Sequence, residues 1–199
     1  NELSNHDHSR FLTRTNRKVG RIHTLGAAEA SEGIRKGVMK EAVVFQMTWV
    51  GCPTVYYGDE AGLCGFTDPD NRRTYPWGRE DQDLLAFHWE MIRIRKEHSV
   101  LRYGSTRFLT MEEQFISYGR FDGRETILVL MNNAKEERKV EIPVWMAEVP
   151  EEADLECLME TSETGYSTNN DRYPVRNGIL SLTVPGVCGM VLHTCSCIG

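Results

Sequence analysis

Apolar residues Ile34, Val38, Ala42, Phe45 and Trp49 recur at helical spacing, and Val43, Val44 and Met47 widen the stripe. The pattern predicts a mostly buried helix over 34–50, with Ser31 as its N-cap and Gly51 and Pro53 as its stop. The next run, 53–57, is short, apolar, β-branched and aromatic. It predicts a strand buried on both faces, as in a parallel sheet. Residues 58–80 are rich in Gly, Asp, Pro and Arg and make a loop too long for a mere connector. Asp81 starts a second helix, with Leu84, Leu85, His88, Met91, Ile92 and Arg95 along one side. Arg93, Arg95 and Lys96 near its end suit the helix dipole. Upstream, residues 2–4 read as the end of a strand and 13–30 as a long loop with a short helix near 25–30.

After Gly104 the period changes from 3.6 to two. Short alternating stretches are predicted at 105–110, 115–121, 126–131, 138–142, 155–159, 178–184 and 187–193. Asp122-Gly123, Asn132-Asn133, Asn177-Gly178 and Pro185-Gly186 are turn signals between several of them. Evenly spaced short strands of this kind indicate an antiparallel β-sandwich. The chain is therefore expected to divide into an α/β part, 1–103, and an all-β part, 104–199. It has no internal repeat.

Composition changes this picture little. The chain is 40% hydrophobic, 26% charged and 9% aromatic over 199 residues, enough to bury a core. Net charge is −6 and the pI about 5.6. No Lys/Arg run interleaves with aromatics, which argues against a nucleic-acid partner. No apolar run approaches the roughly 20 residues of a membrane helix. The six cysteines lack disulfide-domain and zinc-ligand spacing, so no metal or cofactor is expected. Cys195-Ser196-Cys197 is read as two free thiols at a terminus. Free thiols lean towards a reducing, cytoplasmic setting. The chain opens on Asn-Glu-Leu-Ser without Met or signal peptide.

Four motifs stand in a telling order. Asn5-His6-Asp7-His8-Ser9-Arg10-Phe11-Leu12-Thr13-Arg14 resembles the fourth signature region of the α-amylase family, glycoside hydrolase family 13. Its Arg-Phe-Leu-Thr continuation is most similar to the neopullulanase, cyclomaltodextrinase and maltogenic amylase branch. Gly51-Cys-Pro-Thr-Val-Tyr-Tyr-Gly-Asp-Glu60 is similar to the family's eighth-strand signature. Asp68-Pro-Asp-Asn-Arg72-Arg73, followed by Trp77, resembles the loop that this branch carries after that strand. Arg93-Ile-Arg-Lys96 leading to Leu101 and Gly104 resembles the family's passage into its C-terminal sandwich. Ser99 departs from the Pro that many members carry there, and the apolar strand before Asn5 is cut to three residues.

The resemblance implies a retaining glycosidase on a (β/α)₈ barrel, of which 1–103 supplies about the last quarter. Such chemistry needs a nucleophile and an acid/base about 5–5.5 Å apart. In this family a third carboxylate holds sugar hydroxyls at the reacting ring. Asp7 matches that carboxylate and His6 the histidine that shares the task. Arg10 is expected to contact substrate or orient a neighbouring carboxylate. Asp68 and Arg72 match the pair that holds a sugar on the non-reducing side, against the plainer reading of a loop salt bridge. Tyr75 and Trp77 offer stacking faces, although core packing of Trp77 fits as well. Tyr57 is expected in the barrel core, and His88 as a core histidine. Asp59 and Glu60 are read as part of the loop after the strand.

The Gly-x-Arg-x-Asp stretch of the family's nucleophile and the context of its acid/base Glu do not appear. Gly119-Arg-Phe-Asp122 has the wrong spacing and lies in the β-rich half. The expectation is a C-terminal fragment of an α-glucan hydrolase acting on α-1,4 or α-1,6 bonds, inactive alone. Its partner is an α-glucan oligosaccharide, and a homodimer is one assembly open to the intact enzyme. A stand-alone carbohydrate-binding or structural β-module and a glucanotransferase on the same scaffold stay open as alternatives.

Overall fold

In the computed structural model, which describes residues 1–195, the helical pattern becomes α1 (Phe11–Arg14), α2 (Ile22–Leu25), α3 (Lys36–Thr48), α4 (Gln82–Glu97) and α5 (Val100–Tyr103). Nine strands follow: β1 (Ser105–Glu112), β2 (Phe115–Phe121), β3 (Glu125–Asn132), β4 (Arg138–Pro143), β5 (Ala153–Thr161), β6 (Tyr166–Ser167), β7 (Arg172–Arg176), β8 (Ile179–Val184) and β9 (Cys188–Cys195). Short 3₁₀ turns occupy Ala27–Ala30, Asp70–Arg72 and Val144–Ala147.

Asp81 caps α4 as expected, its carboxylate accepting from the Leu84 amide at 3.1 Å. Ser31 does not cap α3, whose N-cap is Arg35. The Ser31 hydroxyl instead donates to the Ala28 carbonyl and closes the preceding 3₁₀ turn. On α4 the buried set is Leu84, Phe87, His88, Met91 and Ile94, while Ile92 is exposed. The expected stripe was therefore rotated: Phe87 and Ile94 turn inward against the shared core.

The strand expected at 53–57 is reduced to one parallel bridge, Thr54 to Glu2. Its anchors are the Thr54 amide on the Asn1 carbonyl at 2.7 Å and Gln46 Nε2 on the Thr54 carbonyl at 2.8 Å. A strand is enclosed only when neighbours cover both of its edges, and among the described residues Glu2 alone pairs with it. Tyr57 is accordingly 41% exposed rather than core.

The strands form one antiparallel sheet in the order β1-β2-β3-β9-β5-β7-β8-β4, with β6 on β5. The expected antiparallel, all-β half is present, and its strands are linked along one hydrogen-bonded path. Register shifts at Phe108/Thr110 and Cys157/Met159 bend the strands. The sheet curls until its edge strands meet, where Arg138 on β4 reaches Glu112 on β1 at 2.7 Å. The small strands β6 and β7 were not expected. Asn169-Asn170-Asp171 hides the alternation before β7, and β6 is too short to show one.

Alternation along β3 and β9 serves two cores. Leu128, Leu130, Met190 and Leu192 point into the curled sheet with Leu155, Cys157, Val175 and Leu180. Ile127, Val129 and Val191 point the other way, onto Val43, Val44, Leu84, Phe87 and Met91 of α3 and α4. The bulge on β5 sends Met159 to this second core although Leu155 and Cys157 face the first. Backbones come close where the layers touch: a Cβ on Gly37 lies 2.6 Å from Glu163 Cα, a contact only glycine avoids.

Arg120 locks the layers together. Its enclosed guanidinium donates to the carbonyls of Thr48, Leu101, Gly104 and Ser105. These include the C-terminal ends of α3 and α5, where a cation is favoured. The Arg of Gly119-Arg120-Phe121-Asp122 is thus structural. Among the described residues no helix is long and apolar enough to cross a membrane. Cys197 of the terminal Cys-Ser-Cys run lies outside the described residues.

Candidate functional site

Asn5 folds its own loop. Its Oδ1 accepts from the Asp7 amide at 2.9 Å and the His8 amide at 3.1 Å, while its Nδ2 donates to Glu2 Oε1. This Asx-type turn leaves His6 and Asp7 side by side and outward. His6 Nε2 lies 3.4 Å from Asp7 Oδ1, with the side chains 61% and 67% exposed.

The loop 58–80 clasps this turn. Asn71 Nδ2 donates to the carbonyls of Asn5 at 3.2 Å and His8 at 2.8 Å. The Arg10 amide donates to the Gly65 carbonyl, and the Gly65 amide to Thr13 Oγ1, both at 2.9 Å. Arg72 sits on the same short turn as Asn71, with Asp68 just before it, so the clasp ties the loop that carries this pair to the His6–Asp7 turn.

Arg10 corrects the expectation of sugar contact, because its side chain is 0% exposed. It donates inward to Asp59 Oδ1 at 3.0 Å, the Tyr57 carbonyl at 2.7 Å and the Asn71 carbonyl at 2.9 Å. Its guanidinium lies 4.5 Å from the Tyr56 ring centroid. Burial pushes the Asp59 carboxyl above its usual range, against the pull of Ser4 and Arg10. Desolvation outweighs attraction there, the ordinary balance of an enclosed ion pair. Asp59 is therefore a support beneath the turn.

The Asp-Pro-Asp-Asn-Arg-Arg run contains two ion pairs of different character. Asp70 and Arg73 form a bidentate pair at 2.9 Å for each contact, and Asp70 also accepts from the Phe66 amide at 2.8 Å. That pair builds the loop. Asp68 and Arg72 pair at 2.5 Å and face outward, each about half exposed. Trp77 is 80% exposed and lies against Tyr75 at 4.5 Å between centroids, so it is a surface aromatic rather than core. His88 is buried, with Nδ1 on the Leu84 carbonyl at 2.8 Å and its pKa lowered by desolvation.

The arrangement offers an exposed carboxylate, an imidazole and an Asp–Arg pair, all hydrogen-bond partners for a polyhydroxylated ligand, and the same loop carries an exposed aromatic face further on. Asn5 and Asn71 stand outside the site residues predicted from sequence. Their signal is their place inside the two motifs, because an amide next to a polar loop is the side chain that can hold backbone carbonyls.

Residues 1–77 match the family model described as alpha amylase, catalytic domain. The chain is 42% identical over 139 residues to a cyclomaltodextrinase of Bacillus sp, covering 68% of this chain and 22% of that protein. It is 33% identical over 199 residues to neopullulanase 2 of Thermoactinomyces vulgaris, covering 96% and 28%. A solved cyclomaltodextrinase superposes with a TM-score of 0.68 at 31% identity, covering 96% of this chain and 29% of that one. An Anoxybacillus α-amylase structure, at 23% identity, shares the fold with a TM-score of 0.76 and covers 100% and 38%. The chain spans about a quarter of the length of its cyclomaltodextrinase and neopullulanase relatives, and less of the amylopullulanases it also matches.

Proposed function

From the premise that this chain is related to the α-amylase family, in its cyclomaltodextrinase and neopullulanase branch, we propose that it serves as the C-terminal portion of a retaining α-glucan hydrolase. Residues 1–103 are the last strands and helices of the catalytic barrel, and 104–199 its terminal β-domain. The observation that carries the reading is the Asn71 clasp, which joins the His6–Asp7 turn to the Asp68–Arg72 loop.

Asp7 is the third carboxylate of the site. Its contact to sugar hydroxyls tightens as positive charge develops on the ring, so it acts in the transition state. His6 shares hydroxyl recognition there. Asp68 and Arg72 hold a sugar remote from the cleaved bond. Arg10 and Asp59 act through others: they hold the turn and loop in position from below.

The chain by itself is inactive. Asp7 cannot protonate the leaving oxygen while also trapping the glycosyl group, and the sequence contexts of the other two carboxylates are missing. Purified chain is expected to release no reducing sugar from maltotriose, cyclodextrin or pullulan. Turnover abolished by one change within residues 1–199 overturns that claim.

The residue roles are tested in a full-length protein carrying this segment. Asp7→Asn is expected to lower kcat by about 2.7–4 kcal/mol of barrier, the scale of one lost preorganised contact. Arg72→Ala is expected to act mainly on KM. Near-native kcat in Asp7→Asn removes Asp7 from the role.

A further inference from the structure

Outside the residues assigned to sugar, three chemistry-bearing side chains converge where the helices meet the sheet. His98 is the residue that ends α4, Glu125 is the first residue of β3, and His193 lies on β9. Glu125 divides its two oxygens between different partners. Oε1 accepts from the Val100 amide at 3.1 Å, which fixes the carboxylate plane. Oε2 is shared by two imidazoles, with His98 Nδ1 at 3.1 Å and His193 Nε2 at 3.4 Å.

We propose that His98, Glu125 and His193 form a binding site for a divalent transition-metal ion, with zinc its best occupant. Two imidazoles and one carboxylate are a three-ligand set for zinc, which keeps a fourth position for water. Calcium and magnesium are disfavoured, because both prefer oxygen ligands. The spacing suits the ion. Bonds of about 2.0–2.1 Å in tetrahedral geometry place neighbouring ligand atoms about 3.3 Å apart, close to the two separations from Glu125. One donor atom from each residue lies within 4.8 Å of the other two, so the third edge closes with a small imidazole rotation.

The rings are 4.6 Å apart between centroids and tilted by 56°, so they converge without stacking. The side chains are 15%, 18% and 13% exposed, so all three are largely enclosed yet still reach solvent. The Val100 amide supplies the outer hydrogen bond that orients a ligating carboxylate. Glu156, opposite His193 in the β5–β9 register, adds negative charge nearby. Binding takes one lone pair from each imidazole, and each neutral ring keeps its proton on the other nitrogen. Such an ion ties the end of α4 to two central strands.

The test uses the whole chain, stripped with chelator and titrated with zinc chloride by calorimetry, with metal content measured after gel filtration. One zinc per chain is expected. Cobalt(II) should give the visible bands of a four-coordinate ion, and saturating zinc should raise Tm by about 5–10 °C. His98→Ala and His193→Ala should each weaken binding at least about 100-fold, and Glu125→Gln about tenfold or more. As a check free of variants, zinc added to the unaltered chain should shift the imidazole NMR signals of His98 and His193. Absence of stoichiometric zinc overturns the site. So does zinc retained by the His98→Ala/His193→Ala double variant, which places the ion elsewhere, as on the exposed His6–Asp7–His8 run. Unmoved His98 and His193 signals under bound zinc overturn it as well.

Discussion

Leu128 and Arg10 are equally enclosed, but they are buried for different reasons. Leu128 lies in a sheet whose backbone groups are paired in ladders, so the interior needs only apolar volume. Arg10 lies beneath a long loop whose carbonyls have no ladder partners, and its side chain supplies the missing donors. The helical half repeats this solution. Lys40, enclosed, reaches Asp83 at 2.7 Å, and Asp70 and Asn71 are buried amid loop backbone. Among the described residues, most buried side-chain atoms without a hydrogen-bond partner fall there too: Arg10 Nη2, Glu60 Oε2, Asn71 Oδ1 and His88 Nε2, beside Lys40 Nζ held by its ion pair, against Thr106 Oγ1 and Ser117 Oγ in the strands. A sheet makes burial inexpensive for the backbone. A long irregular loop must be propped with charge, and each prop carries a desolvation penalty.

That contrast breaks most sharply at Asp59. Asp59→Ala leaves the Arg10 charge uncompensated and is expected to cost about 3–5 kcal/mol in urea unfolding. The double change Arg10→Met/Asp59→Leu leaves no charge buried but removes the donor to the Tyr57 and Asn71 carbonyls, so it should recover only part of the loss. A double variant no better than the single one means that the props hold the loop by more than charge balance.

In the dry half no second change is available as a rescue. Leu130→Ala, fully buried between strands, should cost about 2–5 kcal/mol through lost contacts and the cavity left. A cost below about 1 kcal/mol shows that the curled sheet collapses around the gap and is less rigid than its ladder suggests.

Glu41 sharpens the comparison from the other direction, because here a prop acts against stability. It sits at the seam with Asn133 Nδ2 donating to it at 2.8 Å, and burial pushes its carboxyl up to about 7 from 4.5. A carboxyl raised in the folded state binds more protons folded than unfolded. Its contribution is fully present below 4.5 and is lost as pH rises towards about 7. Glu41→Gln should therefore gain about 2–3 kcal/mol at pH 8 and almost nothing at pH 4. Chemical denaturation at the two pH values checks this, and equal effects at both remove burial as the cause.

The smallest effect is expected at Trp77. It is exposed, so Trp77→Ala should change stability by no more than about 0.5 kcal/mol. A larger loss shows that its contact with Tyr75 holds the loop, and moves it to the structural side of the comparison.

Period and punctuation made most elements legible. The strand expected at 115–121 has the bounds of β2, and Asp81 caps α4, because alternation and caps are local signals. The two motifs at 5–14 and 68–77 marked the exposed turn and loop. Two distinctions lay beyond such local signals. The Ser31 hydroxyl can serve either a turn behind it or a helix ahead, and both lie within reach in sequence. Asp70–Arg73 and Asp68–Arg72 are chemically alike in sequence, and only packing separates the buried pair from the exposed one.

The sequence by itself determined the helix-then-strand order, the switch of period near Gly104 and the relationship to the α-amylase family. These depend on neighbours a few residues apart and on runs of identity. Tertiary structure alone decided that Arg10 faces inward, that Tyr57 is exposed, and that the strands make one curled sheet. It also brought His98, Glu125 and His193 together from three separate elements. Burial and convergence are set by which surfaces meet across the fold, and contacts between distant residues leave no period along the chain.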